Sequence, residues 1–133
     1  MNKLILLLIF IAAAIAVWAM SSRKSGNDDF PSVECDEFEQ LLADGHVVLL
    51  DVRTQSEYDE RHLRGAMLID VKTDSFMMAA RDRLPKDQTI AVYCRSGRRS
   101  AAAAQRLTAD GYRVVNLKGG IMAWIKAGKE TVR

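Results

Sequence analysis

Apolar residues are distributed along this chain in two alternating patterns. Short, mostly apolar runs occur at 47–50, 67–69, 89–93 and 113–117, and between them lie segments whose apolar positions fall three or four apart. The runs have the length of strands and the spaced segments have the period of a helix. Residues 36–43 place Phe38, Leu41 and Leu42 on one helical face, with Asp36, Glu37 and Glu39 toward the favourable amino end, and Gly45 stops the helix. Val47-Val48-Leu49-Leu50 has no polar face, as expected of a central strand buried on both sides. Thr54-Gln55-Ser56-Glu57 fits a capping box and opens a short helix to about residue 61. Gly65-Ala66 turns the chain into a strand at 67–69. A helix over 73–84 follows, with Phe76, Met77, Ala80 and Leu84 on one side and Pro85 closing it. Residues 89–93 form a strand, and 100–109 a helix that turns Ala101, Ala104 and Leu107 to the sheet and ends at Gly111. After a strand at 113–117, Gly119-Gly120 turns into a last helix, 121–127, with Ile121, Trp124 and Ile125 as its apolar stripe. Strands alternate with helices throughout and no segment repeats. The pattern predicts an α/β domain over 31–133, with a mostly parallel sheet and helices on both faces.

Residues 4–20 fit neither pattern. They are one apolar run of 17, preceded by Lys3 and followed by Ser21-Ser22-Arg23-Lys24. Nothing polar breaks the run, so residues 1–22 read as a targeting segment and 23–30 as a polar tether. Two readings stay open. Small residues suit signal-peptide cleavage after Ala19 or Ser21. As an uncleaved helix the run would extend roughly 26 Å, slightly short of a hydrocarbon core of about 30 Å. The expected location is the periplasm or the inner membrane, with membrane contact only through residues 4–20. Basic residues flank both sides of the run, so a cytoplasm-facing anchor also fits.

Composition narrows the chemistry. The 133 residues suffice for one domain with its own core, and the formal charge of +2 carries no nucleic-acid footprint. Two cysteines, Cys35 and Cys94, make no disulfide framework. Two histidines without paired ligand spacing, His46 and His62, argue against a metal site, and no cofactor motif is present. Charge is concentrated locally: Arg95, Arg98 and Arg99 lie within five positions.

That cluster belongs to Cys94-Arg95-Ser96-Gly97-Arg98-Arg99-Ser100, between the strand at 89–93 and the helix expected from Ser100. A strand ends in a thiol, a tight loop follows, and a helix begins. Such a loop gathers backbone N–H donors that suit an anion. Ligands of parallel α/β sheets bind beyond the carboxyl ends of the strands, where Cys94 falls. A thiol in this nest, with three arginines near it, is expected to be largely thiolate at neutral pH. Cys94 is therefore the candidate nucleophile. The N–H groups of 95–100 would hold the anion, and Gly97 supplies an unusual backbone shape. Arg95 is the expected anion ligand, while Arg98 and Arg99 face the anion, solvent or a partner. Asp51 and Arg53 end a strand near the site and are read as braces, pairing with Glu57 or backbone groups. His62 reads as a packed, hydrogen-bonded histidine. Cys35 precedes a helix, which would lend its thiol some acidity, but the favoured reading is an incidental thiol.

Five motifs in order extend this reading: Leu50-Asp51-Val52-Arg53, Glu57-Tyr58, His62-Leu63-Arg64-Gly65-Ala66, Val92-Tyr93 with the loop 94–100, and Leu117-Lys118-Gly119-Gly120-Ile121 with Trp124. Over about residues 31–128 the sequence resembles the rhodanese family of sulfurtransferases. The resemblance implies a rhodanese-like, mainly parallel five-stranded sheet. It implies that Cys94 carries sulfur as a persulfide, taken from a small anionic donor such as thiosulfate and passed to a thiol or protein acceptor. Related phosphatases need a loop one residue longer, Cys-x5-Arg, whereas Ser100 stands six after Cys94 and Arg99 five after it. Mercaptopyruvate sulfurtransferases carry a less basic loop than one containing Arg95. A non-catalytic module that binds a partner protein is the alternative function, and phosphatase or arsenate reductase chemistry on the same fold the less favoured one.

Overall fold

A computed structural model describes residues 29–133, so the leader expected at 1–22 and all but the last two residues of the tether lie outside the described residues. Ten elements follow in order: β1 (Ser32–Val33), α1 (Cys35–Asp44), β2 (Val47–Asp51), α2 (Gln55–Glu60), β3 (Met67–Leu68), α3 (Phe76–Arg83), β4 (Thr89–Tyr93), α4 (Arg98–Ala109), β5 (Val114–Leu117) and α5 (Gly120–Lys126). The strands form one five-stranded sheet in the order β1-β5-β4-β2-β3, and every pairing is parallel. This is the predicted α/β fold. The middle strand is β4, whose Ile90, Ala91, Val92 and Tyr93 are all fully buried. β2 lies beside it, in register Leu50 with Val92 and Asp51 with Tyr93.

Alternate residues of each strand point to opposite faces, and the core divides accordingly. Leu50, Ile90, Val92, Cys94 and Val114 pack with Phe76 and Ala80 of α3 and Ala103, Ala104 and Leu107 of α4. Leu49, Ala91, Tyr93 and Leu117 pack with Phe38 of α1 and Ile121 and Trp124 of α5. Phe30 is buried in the first of these clusters. Cys94 and Cys35 belong to different clusters, so the sheet lies between them.

Three helices depart from expectation, two in where they begin and one in what it buries. α4 begins at Arg98 rather than Ser100, because Gly97 in the left-handed region (φ 95°) ends the loop and caps the helix. Its buried alanines are 103 and 104, while Ala101 is only half-buried. α3 begins at Phe76 rather than 73. Asp70 takes the preceding residues into a turn, its carboxylate accepting from Lys72 N at 2.9 Å and its carbonyl from Thr73 N and Oγ1. Ile125, expected in the buried stripe of α5, is exposed. The capping box of α2 is present as read, with Thr54 Oγ1 accepting from Glu57 N at 3.3 Å and Glu57 Oε1 accepting from Thr54 N at 3.3 Å.

Candidate active site

The site is built where β4 delivers Cys94 to the amino end of α4. Cys94 is 1% exposed. Its Sγ accepts from Gly97 N at 3.1 Å and from Ser100 Oγ at 3.3 Å. Both donors exist because α4 starts early. Gly97 reverses the chain, and Ser100 falls in the first turn of the helix with its hydroxyl aimed back at the sulfur.

The underside of the loop is held by the start of α5. Ile121 N donates to Cys94 O at 2.9 Å, and Met122 N to Arg95 O at 3.1 Å. The C=O and N–H of a trans peptide point in opposite directions. Tying these two carbonyls down therefore turns the N–H groups of Arg95 and Ser96 to the other side. Gly120 makes the approach possible. A Cβ there would lie 2.4 Å from Arg95 O and 2.6 Å from Cys94 O, and its φ is 61°. In the sequence Gly120 was legible as part of a turn and of a motif, without this role.

Electrostatics follow from these bonds. Burial works against ionisation of Cys94, but it is outweighed by the Ser100 hydroxyl and by the N–H groups of Ser100, Ser96 and Gly97, which hold the thiol below its ordinary value. The expected nest of backbone N–H groups is thus at work, joined by a side-chain hydroxyl, and the arginines expected beside it are not among these causes. Arg95 and Arg98 are exposed. Arg99 turns neither to solvent nor to the sulfur. Its guanidinium donates to both carboxylate oxygens of Glu57, each at 2.8 Å. That bidentate pair lowers Glu57 from 4.5 to about 2, against the opposing effect of burial. Glu57 thus serves two structures at once, capping α2 and fixing the first turn of α4.

Asp51 and Arg53 are braces, and of the partners expected the backbone is found and Glu57 is not. Arg53 does not pair with Glu57; it pairs with Asp51, Nε to Oδ1 at 3.0 Å and Nη2 to Oδ2 at 2.7 Å, and it also donates to Arg61 O at 2.7 Å. The guanidinium lies 5.6 Å from the centre of the Tyr93 ring. The Tyr93 oxygen accepts from Leu63 N at 3.0 Å, and burial together with the Asp51 carboxylate pushes the phenol up, so it stays protonated. These contacts lock the carboxyl ends of β2 and β4 beside the loop. His62 is packed as expected, stacked on Tyr58 at 3.7 Å with Nδ1 2.8 Å from Tyr58 O. Burial pushes the Cys35 thiol up, so its place before a helix does not make it acidic. Among the described residues no three His, Cys, Asp or Glu side chains converge as a metal site.

A cleft of about 260 Å³ opens beside the loop, between α2 and α5, with Arg53, Arg61, Arg95, Met122 and Ile125 in its walls.

Residues 34–127 match the model of the rhodanese-like domain family. The chain belongs to that family. This rhodanese-like domain is 37% identical over 98 residues to a sulfurtransferase of Allochromatium vinosum, covering 72% of this chain and 89% of the relative. It is 34% identical over 110 residues to thiosulfate sulfurtransferase 18 of Arabidopsis thaliana, covering 74% and 80%. Among solved structures it is similar to a rhodanese-related protein from Thermoplasma volcanium, with a TM-score of 0.69, 28% identity, and coverage of 77% and 98%. The fold expected from the resemblance is therefore the fold present, and the rhodanese-like domain has relatives with a sulfurtransferase role.

Proposed function

We propose that this rhodanese-like domain moves sulfur from thiosulfate to a thiophilic acceptor through a persulfide on Cys94. The observation that carries the reading is the set of donors on Cys94 Sγ, namely Gly97 N, the Ser100 hydroxyl and the N–H of Ser96. They favour the thiolate, which is the attacking form. In the first step Cys94 Sγ attacks the outer sulfur of thiosulfate. The S–S bond of the donor breaks, and sulfite leaves with the bonding pair. A persulfide anion remains on Cys94, so the two negative charges that enter with the donor leave with sulfite. The same N–H groups stabilise the extra sulfur, as oxyanion-hole donors stabilise oxygen. Arg95 and Arg98, exposed at the rim, draw the dianion in. In the second step an acceptor takes the outer sulfur and Cys94 returns as thiolate, so ping-pong kinetics follow.

Phosphatase chemistry fits less well. The arginine nearest the position a phosphate loop requires is Arg99, and both of its forked nitrogens are engaged by Glu57. Intact mass measurement after thiosulfate treatment tests the proposal. Wild type gains one sulfur atom, lost again on cyanide treatment, and a peptide digest places it on Cys94. No gain in mass would overturn the reading. We also propose that residues 4–20 export or anchor the domain, which amino-terminal sequencing of the mature chain tests.

A further inference from the structure

We propose that Asn116 is a positioning residue of the site: its side-chain amide fixes Gly97 and, through Gly97, the donors that hold the Cys94 sulfur. The inference rests on the sulfurtransferase reading above for what it says of turnover.

Stability does not explain an asparagine at this place. Asn116 lies on β5, between β1 and β4, with Ser32 and Val92 as its neighbours in register. Asparagine is depleted in strands, and this one is 3% exposed. Its Oδ1 is buried and accepts no hydrogen bond among the described residues. A buried acceptor without a donor costs stability, and an apolar side chain would avoid that cost.

The contacts of the amide do explain it. Alternate residues of a strand share a face, so Asn116 lies on the face of Val114, which packs in the same cluster as Cys94. Nδ2 donates to Ser32 Oγ at 3.1 Å and to Gly97 O at 3.4 Å. Both of its hydrogens are then used. The reverse orientation of the amide would set Oδ1 against the Gly97 carbonyl, acceptor against acceptor. The loop runs directly over the end of β5, since a Cβ on Gly97 would lie 3.3 Å from Leu117 O and 3.2 Å from Gly119 N.

Gly97 needs such an anchor. Its N–H donates to Cys94 Sγ at 3.1 Å, and its carbonyl takes the first bond of α4, from Ala101 N at 3.1 Å. Between these two groups lie only the φ and ψ of a residue without a Cβ, which local sterics leave loosely defined. Holding the carbonyl from β5 narrows both torsions. That fixes the line from the Gly97 N–H to the sulfur, and with it the start of α4 that brings the Ser100 hydroxyl to the same atom. The contact to Gly97 O is long, so its effect is modest in size.

Asn116→Val and Asn116→Ala in the full chain test this. The measurements are thermal melting, the pH profile of iodoacetamide alkylation read at Cys94 by peptide digest, and thiosulfate-to-cyanide turnover. Asn116→Val is expected to melt no lower than wild type, because valine suits a strand and leaves no orphaned acceptor. Asn116→Ala, too small to clash, keeps the test open if valine does not fit. In both, the alkylation profile is expected to move to higher pH and kcat/KM at neutral pH to fall by about three- to fivefold. An unchanged alkylation profile in either folded variant overturns the proposal, whatever its turnover, and leaves Asn116 a structural residue. If wild type gains no sulfur from thiosulfate, the sulfurtransferase reading fails, while the alkylation profile still decides the role of Asn116.

Discussion

Cys94 and Cys35 are both buried, 1% and 9% exposed, and both lie beside the amino end of a helix. In both, burial disfavours the thiolate. Around Cys94 that cost is more than offset by a hydroxyl and several N–H groups aimed at the sulfur. Around Cys35, Lys129 offsets burial in part, while Glu34 and Asp36 oppose ionisation, and the thiol is pushed up. A helix start near a cysteine therefore does not make a nucleophile. Donors directed at the sulfur do, and at Cys94 the direction comes from a glycine that reverses the chain and from a second helix that pulls the loop carbonyls away.

The comparison can be tested by removing each contribution in turn. The largest effect is expected from Cys94→Ser, which should lower thiosulfate-to-cyanide turnover by at least about a thousandfold, since the covalent route is gone. Gly120→Ala removes no donor. Its Cβ meets Arg95 O and forces the loop from α5, with an expected stability loss of roughly 1–3 kcal/mol in chemical denaturation and a fall in kcat/KM of about a hundredfold. Gly45→Ala is its control. That glycine also has a positive φ, 77°, but nothing lies within 4 Å of the added Cβ, so turnover should be retained.

Ser100→Ala takes away one donor to a charged sulfur, with an expected fall of roughly tenfold in kcat/KM at neutral pH. The pH profile of Cys94 alkylation should move upward in this variant. Cys35 should remain slower to react than Cys94 in wild type at neutral pH, and a faster Cys35 would break the comparison.

The smallest effect is expected from Glu57→Gln, which weakens the hold on the first turn of α4. Glu57 is lowered from 4.5 to about 2 in the folded state. A depressed carboxylate contributes stability that is fully present above its unfolded value and is lost as pH falls through the folded one. Thermal melts of wild type should therefore lose this contribution between about pH 4.5 and 2, and the variant should lack that part of the fall. At pH 7 its cost should be about 1 kcal/mol, because the pair is partly exposed to solvent.

Much of this was legible along the chain. Strand and helix alternation follows from the spacing of apolar residues. The capping box at Thr54 and Glu57 was legible because both partners lie three positions apart, and Cys94 was legible because strand, thiol, glycine and helix are contiguous. What was missed is long-range. Arg99 and Glu57 are 42 positions apart, and nothing local to either names the other. Gly120 lies 25 positions from Arg95, and the need for glycine there appears only when α5 is packed under the loop. Asp51 and Arg53 were read as braces on Glu57 or backbone groups; the backbone contact is there, to Arg61 O, but the main partner of each is the other, two residues away and buried with it.

The sequence by itself determined the parallel α/β fold, the place of Cys94 at the end of the strand at 89–93, and the length of the loop that follows. These rest on local periodicity and on covalent neighbours, which a chain carries before it folds. The tertiary structure alone decided which groups face the sulfur, which arginine is clamped and which remain open, and why one buried cysteine is acidic and the other is not. Hydrogen bonds are directional over about 3 Å, and that direction is set only when α4, α5 and the end of β4 are packed together.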